Sequence, residues 1–183
     1  MPEVTKAKPR IPLFPHQYSV AAVASPEGDV ALESDGLPAM TSAPPPQFGG
    51  PGDRWSPETL LVAAVADCFV LTFRAMARAS KLSWSTLRCD VEGTLDRVQR
   101  FTQFTELRTR VVLSVPPDTD RQRAERLLEQ AEETCLIANS LKGARHLETT
   151  ISVDDDAGRD VVGAGPLPRV ASGTNVVGAP TQL

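Results

Sequence analysis

Ser56-Pro57-Glu58-Thr59-Leu60-Leu61-Val62-Ala63-Ala64-Val65-Ala66-Asp67-Cys68-Phe69 is the stretch that decides the fold. Serine is a favoured N-cap, because its hydroxyl accepts from an amide that the first turn leaves free. Proline at the next position brings a preset φ and no surplus N–H. Glu58 places a negative charge at the positive end of the helix dipole. A helix is therefore predicted from Ser56 to about Ser80. From Leu60 to Ala66 it is apolar on every face, and only Asp67, Arg74 and Arg78 add charge after that. A helix apolar all round needs burial on most sides. A sheet wrapped around it, or a second subunit sharing it, would supply that burial.

Outward from this helix the chain reads as strands and turns. Residues 18–24 and 30–37 are short strand-like runs separated by Pro26-Glu27-Gly28-Asp29, a turn signal. Residues 38–55 read as a loop, with three successive prolines at 44–46 and glycines at 49, 50 and 52. After the helix, Leu87, Cys89, Val91 and Leu95 alternate on one strand face, and Leu107, Val111, Leu113 and Val115 on another. Pro116-Pro117-Asp118 ends the second strand. A helix is predicted from about Thr119, with Ala124, Leu127, Leu128, Ala131, Cys135 and Ala138 on its buried stripe and Lys142-Gly143 as its C-cap. Residues 147–153 form a last strand. The order gives an α+β domain over residues 16–153, with a flexible segment over 1–15 and a disordered tail over 154–183.

Composition narrows the function. The chain has 183 residues, a net charge of −4 and 41% hydrophobic residues. That acidity excludes a strongly basic nucleic-acid surface, which needs clustered Lys and Arg. No run of about 18 uncharged apolar residues argues for a membrane span, and the N-terminus lacks the apolar core of a signal peptide. A cytoplasmic protein is expected, with no nucleic-acid or membrane partner. Its three cysteines, Cys68, Cys89 and Cys135, are too few and of odd number for a disulfide framework. The two histidines, His16 and His146, stand at no metal-ligand spacing from a cysteine, so no metal site is expected. Phosphate-loop and serine-hydrolase motifs are absent from the sequence.

Cys68 has two readings from its position alone: a small buried hydrophobe, or a reactive thiol. A reactive thiol would need a cation brought from elsewhere, since Cys68 lies about 15 Å along the helix from Glu58 at about 1.5 Å per residue, beyond the reach of the dipole. Cys89 alternates with Leu87 and Val91 and reads as core packing. Arg54, in the glycine-rich loop, is either a solvated arginine or that cation. Trp55 reads as a wall of a hydrophobic entrance, Trp84 as core.

Phe48-Gly49-Gly50, Ser56-Pro57-Glu58-Thr59-Leu60, Ala63-Ala64, Cys68-Phe69 and, much later, Cys135 with Ser140-Leu141-Lys142 resemble the OsmC/Ohr family of osmotically induced and organic hydroperoxide resistance proteins. The resemblance implies antiparallel sheets packed around a long buried central helix, in an intertwined homodimer. It implies a peroxidatic role for Cys68, whose thiolate attacks a hydroperoxide to give a sulfenic acid, and a resolving role for Cys135. It implies reduction of the resulting disulfide by a dihydrolipoyl protein or a small thiol. Glu58 matches the glutamate that holds an activating arginine, and an antiparallel partner helix would bring Glu58 of one chain towards Cys68 of the other. Two departures stand out. Gln47 occupies the place of that arginine, leaving Arg54 as the candidate replacement, and Leu136 stands where relatives have a proline that starts a new helix. The leading expectation is a cysteine-based thiol peroxidase, which would need no organic cofactor; the alternative is a small-molecule-binding or redox-sensing protein of the same fold without efficient turnover.

Overall fold

The computed structural model describes residues 13–154; most of the segment 1–15 and of the tail 154–183 lie outside the described residues. The chain divides into two compact units, with the boundary between Leu60 and Leu61.

The first unit is a three-stranded antiparallel sheet of β1 (Ala21–Val23), β2 (Val30–Glu33) and β3 (Met40–Ser42), with β2 in the middle. Gly28, at φ 94°, makes the turn between β1 and β2 in the left-handed region that a side chain disfavours. Residues 38–55 are more than the expected loop. Leu32 faces Met40 across the β2–β3 ladder, and a turn of 3-10 helix follows at Pro46–Phe48. The chain then returns to pair Ala43 N with Trp55 O at 2.9 Å. Gly50 presses so closely on the Pro44 carbonyl that a Cβ would stand 1.6 Å from its oxygen, so only glycine fits there.

Helix α1 (Pro57–Ser80) starts as its sequence requires. Thr59 N donates to Ser56 Oγ at 3.2 Å, and Ser56 N donates to Thr59 Oγ1 at 2.8 Å, a reciprocal cap with threonine in the usual Glu/Gln place. At the far end Lys81 takes φ 55°, the position glycine commonly holds, and Leu82 N closes the turn on Ala77 O at 2.9 Å. Within the chain α1 buries a stripe, Val65, Phe69, Phe73 and Ala77, rather than its whole circumference. Its most apolar 18-residue window has a mean hydropathy of 1.9, long and apolar enough to cross a membrane by length and composition, and only 28% of it is buried.

The second unit, from Leu61 onward, carries a sheet of β4 (Thr86–Val98), β5 (Phe101–Val115) and β6 (Ala144–Val153). β4 and β5 form a long antiparallel hairpin with a register shift at Thr94/Leu95. β6 runs parallel to β5, with Leu113 opposite Ile151, so this sheet is mixed where an antiparallel one was expected. The physical reason is the connection: a parallel neighbour needs a long crossover, and the helical segment between β5 and β6 provides it. Phe69, Phe73 and Ala77 of α1, Val111, Leu113 and Val115 of β5, and Leu128 with Ala131 form one buried cluster.

Helix α2 (Arg121–Glu133) begins at Asp120, whose carboxylate accepts from Arg123 N at 3.0 Å. It ends earlier than the periodicity suggests. Thr134 is its C-cap, and Cys135 is the N-cap of a separate one-turn helix, α3 (Leu136–Asn139). Cys135 and Ala138 still face the core from α3, which is why the apolar spacing runs on unbroken. Lys142-Gly143 caps no helix. Gly143 instead brings the backbone against β5, where a Cβ would meet Thr105 C at 3.1 Å.

Candidate functional site

The two cysteines matched to a redox pair come together in the second unit. Cys68 is half-buried on α1, and Cys135 is buried. Val65, Leu107 and Ala138 surround Cys135, with Cys68, Val91, Ile137 and Leu141 packed alongside. Both cysteines are free thiols. The Cys135 Sγ points at Val65 O, 4.0 Å away on the turn of α1 that precedes Cys68. Leu136 occupies the first position of α3, so this chain builds the Cys-capped helix without the proline. A leucine tolerates helical backbone well enough to take that place.

Burial pushes the Cys135 thiol up to about 11, the neighbouring Cys68 adds to the rise, and the amides of Ala138 and Ile137 oppose it. Cys89, half-buried on β4 against the core cluster, is pushed from 9.0 to about 12 by burial first, then by Asp90 and Cys135. Both thiols keep their protons in the folded state at pH values where an unfolded chain loses them. The native state then binds more protons, so their contribution to stability is complete below about pH 9 and is lost as pH rises through about 11 to 12. Urea unfolding between pH 7 and 11 is expected to give falling stability above pH 9, and Cys89→Val to flatten that slope. A slope unchanged in the variant would show that Cys89 contributes nothing to it.

Arg54 belongs to the first unit and is exposed. Its Nε donates to Asp29 Oδ2 at 3.1 Å, and its Nη1 lies 2.9 Å from Asp53 Oδ2. Its pKa is raised, by the Asp29 hydrogen bond first and then by the Asp53 charge. Two carboxylates thus offset the charge that the sequence offered as a replacement cation. With Thr41, Gly52, Asp53, Trp55 and Thr59, Arg54 lines an open hollow of about 410 Å³. Trp55 is 50% exposed, as a wall of such a hollow requires. Gln47 is exposed on the 3-10 turn. Glu58 stands in the first turn of α1, and its Oε2 is buried without a hydrogen-bond partner among the described residues.

Of the remaining candidates, Trp84 packs edge-on to Phe73, with ring centroids 5.6 Å apart. Asp67, Arg74 and Arg78 are exposed. His146 Nε2 faces Glu106 at 3.7 Å. Among the described residues no group of three or more His, Cys, Asp or Glu is placed to hold a metal. Three polar residues around Cys135, namely Glu132, Asn139 and Arg145, carry no motif and no sequence signal marks them, yet they bond to one another across the α2–α3 break.

The chain is a mixed α+β fold in which two free thiols, one on a long helix and one at the start of a short one, pack into the same part of the core. Residues 50–150, more than half of the chain, match the family of OsmC-like proteins, and the chain belongs to that family. It is 27% identical over 141 residues to the Bacillus subtilis protein YmaD, covering 75% of this chain and 94% of that one. It is 26% identical over 129 residues to an organic hydroperoxide resistance protein of Xanthomonas axonopodis pv. citri, covering 69% and 86%. Among solved structures, an OsmC-like protein of Vibrio cholerae superposes with a TM-score of 0.67 at 21% identity, covering 74% of this chain and all of that one. An organic hydroperoxide resistance protein of Legionella pneumophila superposes with a TM-score of 0.60 at 24% identity, covering 75% and 98%.

Proposed function

We propose that the chain is a thiol-dependent peroxidase of the peroxide stress response that reduces organic hydroperoxides in the cytoplasm. The observation that carries this reading is the packing of Cys68 against the buried cluster that holds Cys135, at the break between α2 and α3. The Xanthomonas relative, named for organic hydroperoxide resistance, supports the substrate class. Cys68 attacks as the thiolate. The O–O bond of ROOH breaks, the distal oxygen stays on sulfur as Cys68–SOH, and ROH leaves with a proton. Cys135–SH then condenses with Cys68–SOH, forming the S–S bond and releasing water. An external dithiol, or two small thiols, reduces the disulfide. The roles follow from environment: Cys135 is buried and holds its proton to about 11, so it is a poor first nucleophile, while Cys68 is the more accessible sulfur.

The second reading, a redox-sensing or small-molecule-binding protein without efficient turnover, is favoured by Gln47 in the arginine position and by the two carboxylates on Arg54. Stopped-flow mixing of the reduced protein with cumene hydroperoxide or hydrogen peroxide separates the two. Thiol loss at least about a hundredfold faster than an ordinary free thiol, faster with cumene hydroperoxide and slowed in Arg54→Ala, supports the enzyme and a role for Arg54. Oxidation at the free-thiol rate supports the sensor.

The working form proposed is a homodimer. Support comes from α1, whose apolar faces beyond the Val65–Phe69–Phe73–Ala77 stripe remain half-exposed, and from the unpartnered Glu58 Oε2. Light scattering on a sizing column is expected to give twice the one-chain mass; a one-chain mass at micromolar concentration would reject the dimer.

A further inference from the structure

Cys135 stands at a break between two helices. α2 has ended at Glu133, and the helix that Cys135 caps has four residues, far too few to be stable alone. One side-chain assembly spans this break. Arg145, at the start of β6, lies with Nε 3.3 Å from Glu132 Oε1, in the last turn of α2. Its Nη1 donates to Asn139 Oδ1, on α3, at 2.6 Å. Asn139 Nδ2 in turn donates to Glu133 O at 2.9 Å, taking up a carbonyl that the end of α2 leaves free. Chain before the cysteine, chain after it and the sheet are thus joined through one guanidinium.

The anchor is rigid for a reason visible in the ladder. Arg145 pairs with Leu107 of β5, and Leu107 is fully buried in the same cluster as Cys135. Glu132 and Arg145 are mostly shielded, at 18% and 30% side-chain exposure, so solvent screens their attraction only in part. A planar guanidinium pairs with the Glu132 carboxylate along one edge while it donates to Asn139 from another nitrogen, which a lysine ammonium on its flexible stem does poorly.

We infer that Arg145 and Asn139 are positioning residues that aim the Cys135 sulfur at Cys68. This inference rests on the reading of Cys68 and Cys135 as a redox pair. A disulfide demands a narrow range of Cα separation and torsion, and small displacements of a reacting group slow a reaction steeply. Loosening the clamp lowers the effective concentration of one sulfur at the other. The step affected is Cys68–SOH + Cys135–SH → Cys68–S–S–Cys135 + H₂O, and peroxide attack at Cys68 is not.

The test uses full-length wild type, Arg145→Ala, Arg145→Lys and Asn139→Ala. Condensation is followed by intact mass after one equivalent of cumene hydroperoxide, with dimedone trapping the sulfenic acid. The Cys68–Cys135 midpoint potential is measured separately against glutathione buffers. Arg145→Ala and Asn139→Ala are expected to condense about tenfold more slowly, to accumulate dimedone-trappable Cys68 sulfenic acid, and to shift the midpoint upward by about 30 mV, the equivalent of tenfold in a two-electron couple. Arg145→Lys falls between them and wild type. Folded variants with the wild-type rate and midpoint overturn the clamp, even if their melting temperatures fall. Should Arg145→Ala not fold, Arg145→Lys and Asn139→Ala decide by the same criterion. If the wild type forms no Cys68–Cys135 disulfide with either peroxide or glutathione disulfide, the redox pair itself is refuted and the clamp with it.

Discussion

Cys68→Ser is expected to abolish rapid thiol loss on mixing with cumene hydroperoxide, lowering the rate by about three orders of magnitude, as removal of a nucleophile commonly does. Cys135→Ser is expected to behave differently. Its first oxidation should keep a rate close to wild type, because the attacking sulfur is untouched. Turnover should fall, because the thiol assigned to condense with the sulfenic acid is gone. That acid would persist long enough to trap, and excess peroxide would carry it to the irreversible sulfinic state. Mass spectrometry distinguishes the outcomes: one added oxygen on Cys135→Ser, loss of two hydrogens on wild type, and no change on Cys68→Ser. Equal rates in Cys68→Ser and wild type would remove Cys68 from the chemistry. Cys89 provides the internal control. Its thiol, pushed to about 12 by burial, Asp90 and Cys135, should stay reduced throughout, and oxygen found on Cys89 would count against the assigned roles.

What the sequence made legible follows from how local each signal is. Ser56, Pro57 and Glu58 act within one turn, so the start of α1 was readable, and its apolar length carried it to Ser80. The odd-numbered residues of β4 and β5 alternate over enough positions to name both strands. β3 has three residues between prolines, too short for any period to show, and it exists because β2 offers a ladder edge. The parallel pairing of β6 is a property of the crossover rather than of the strand. Strand, helix and strand in that order over residues 101–153 would have signalled it. The break at Thr134 was hidden because α3 turns Cys135 and Ala138 inward at nearly the spacing of a continuous helix. The site was partly readable for the same reason. The resemblance named Cys68 and Cys135 from spaced motifs, and the structure brings them together. The clasp of Asp29 and Asp53 on Arg54 joins residues up to 25 positions apart that share no motif.

The other large effect concerns stability, and it separates the faces of α1. Phe73 is wholly buried and meets Trp84 edge-on at an interplanar angle of 71°. Phe73→Ala removes that contact and leaves a cavity between the helix and β5, a change that commonly costs about 3–5 kcal/mol. For a folded body of this size the melting temperature should drop by about 10–15 °C. At about 3.6 residues per turn, Leu71, two positions away, sits on nearly the opposite face, where it is half-exposed. Were α1 covered only by its own chain, Leu71→Ala would change stability by about 0.5 kcal/mol or less. If a second copy covers that face, the same substitution should lower the melting temperature by several degrees, by an amount that grows on dilution, because folding is then linked to association. Thermal unfolding of the two variants at 1 and 100 µM would therefore read burial within the chain and burial between chains on one helix: a concentration-independent loss for Phe73→Ala beside a dilution-sensitive one for Leu71→Ala supports the homodimer, and dilution-insensitive, near-wild-type melting of Leu71→Ala argues that α1 keeps its outer face to itself.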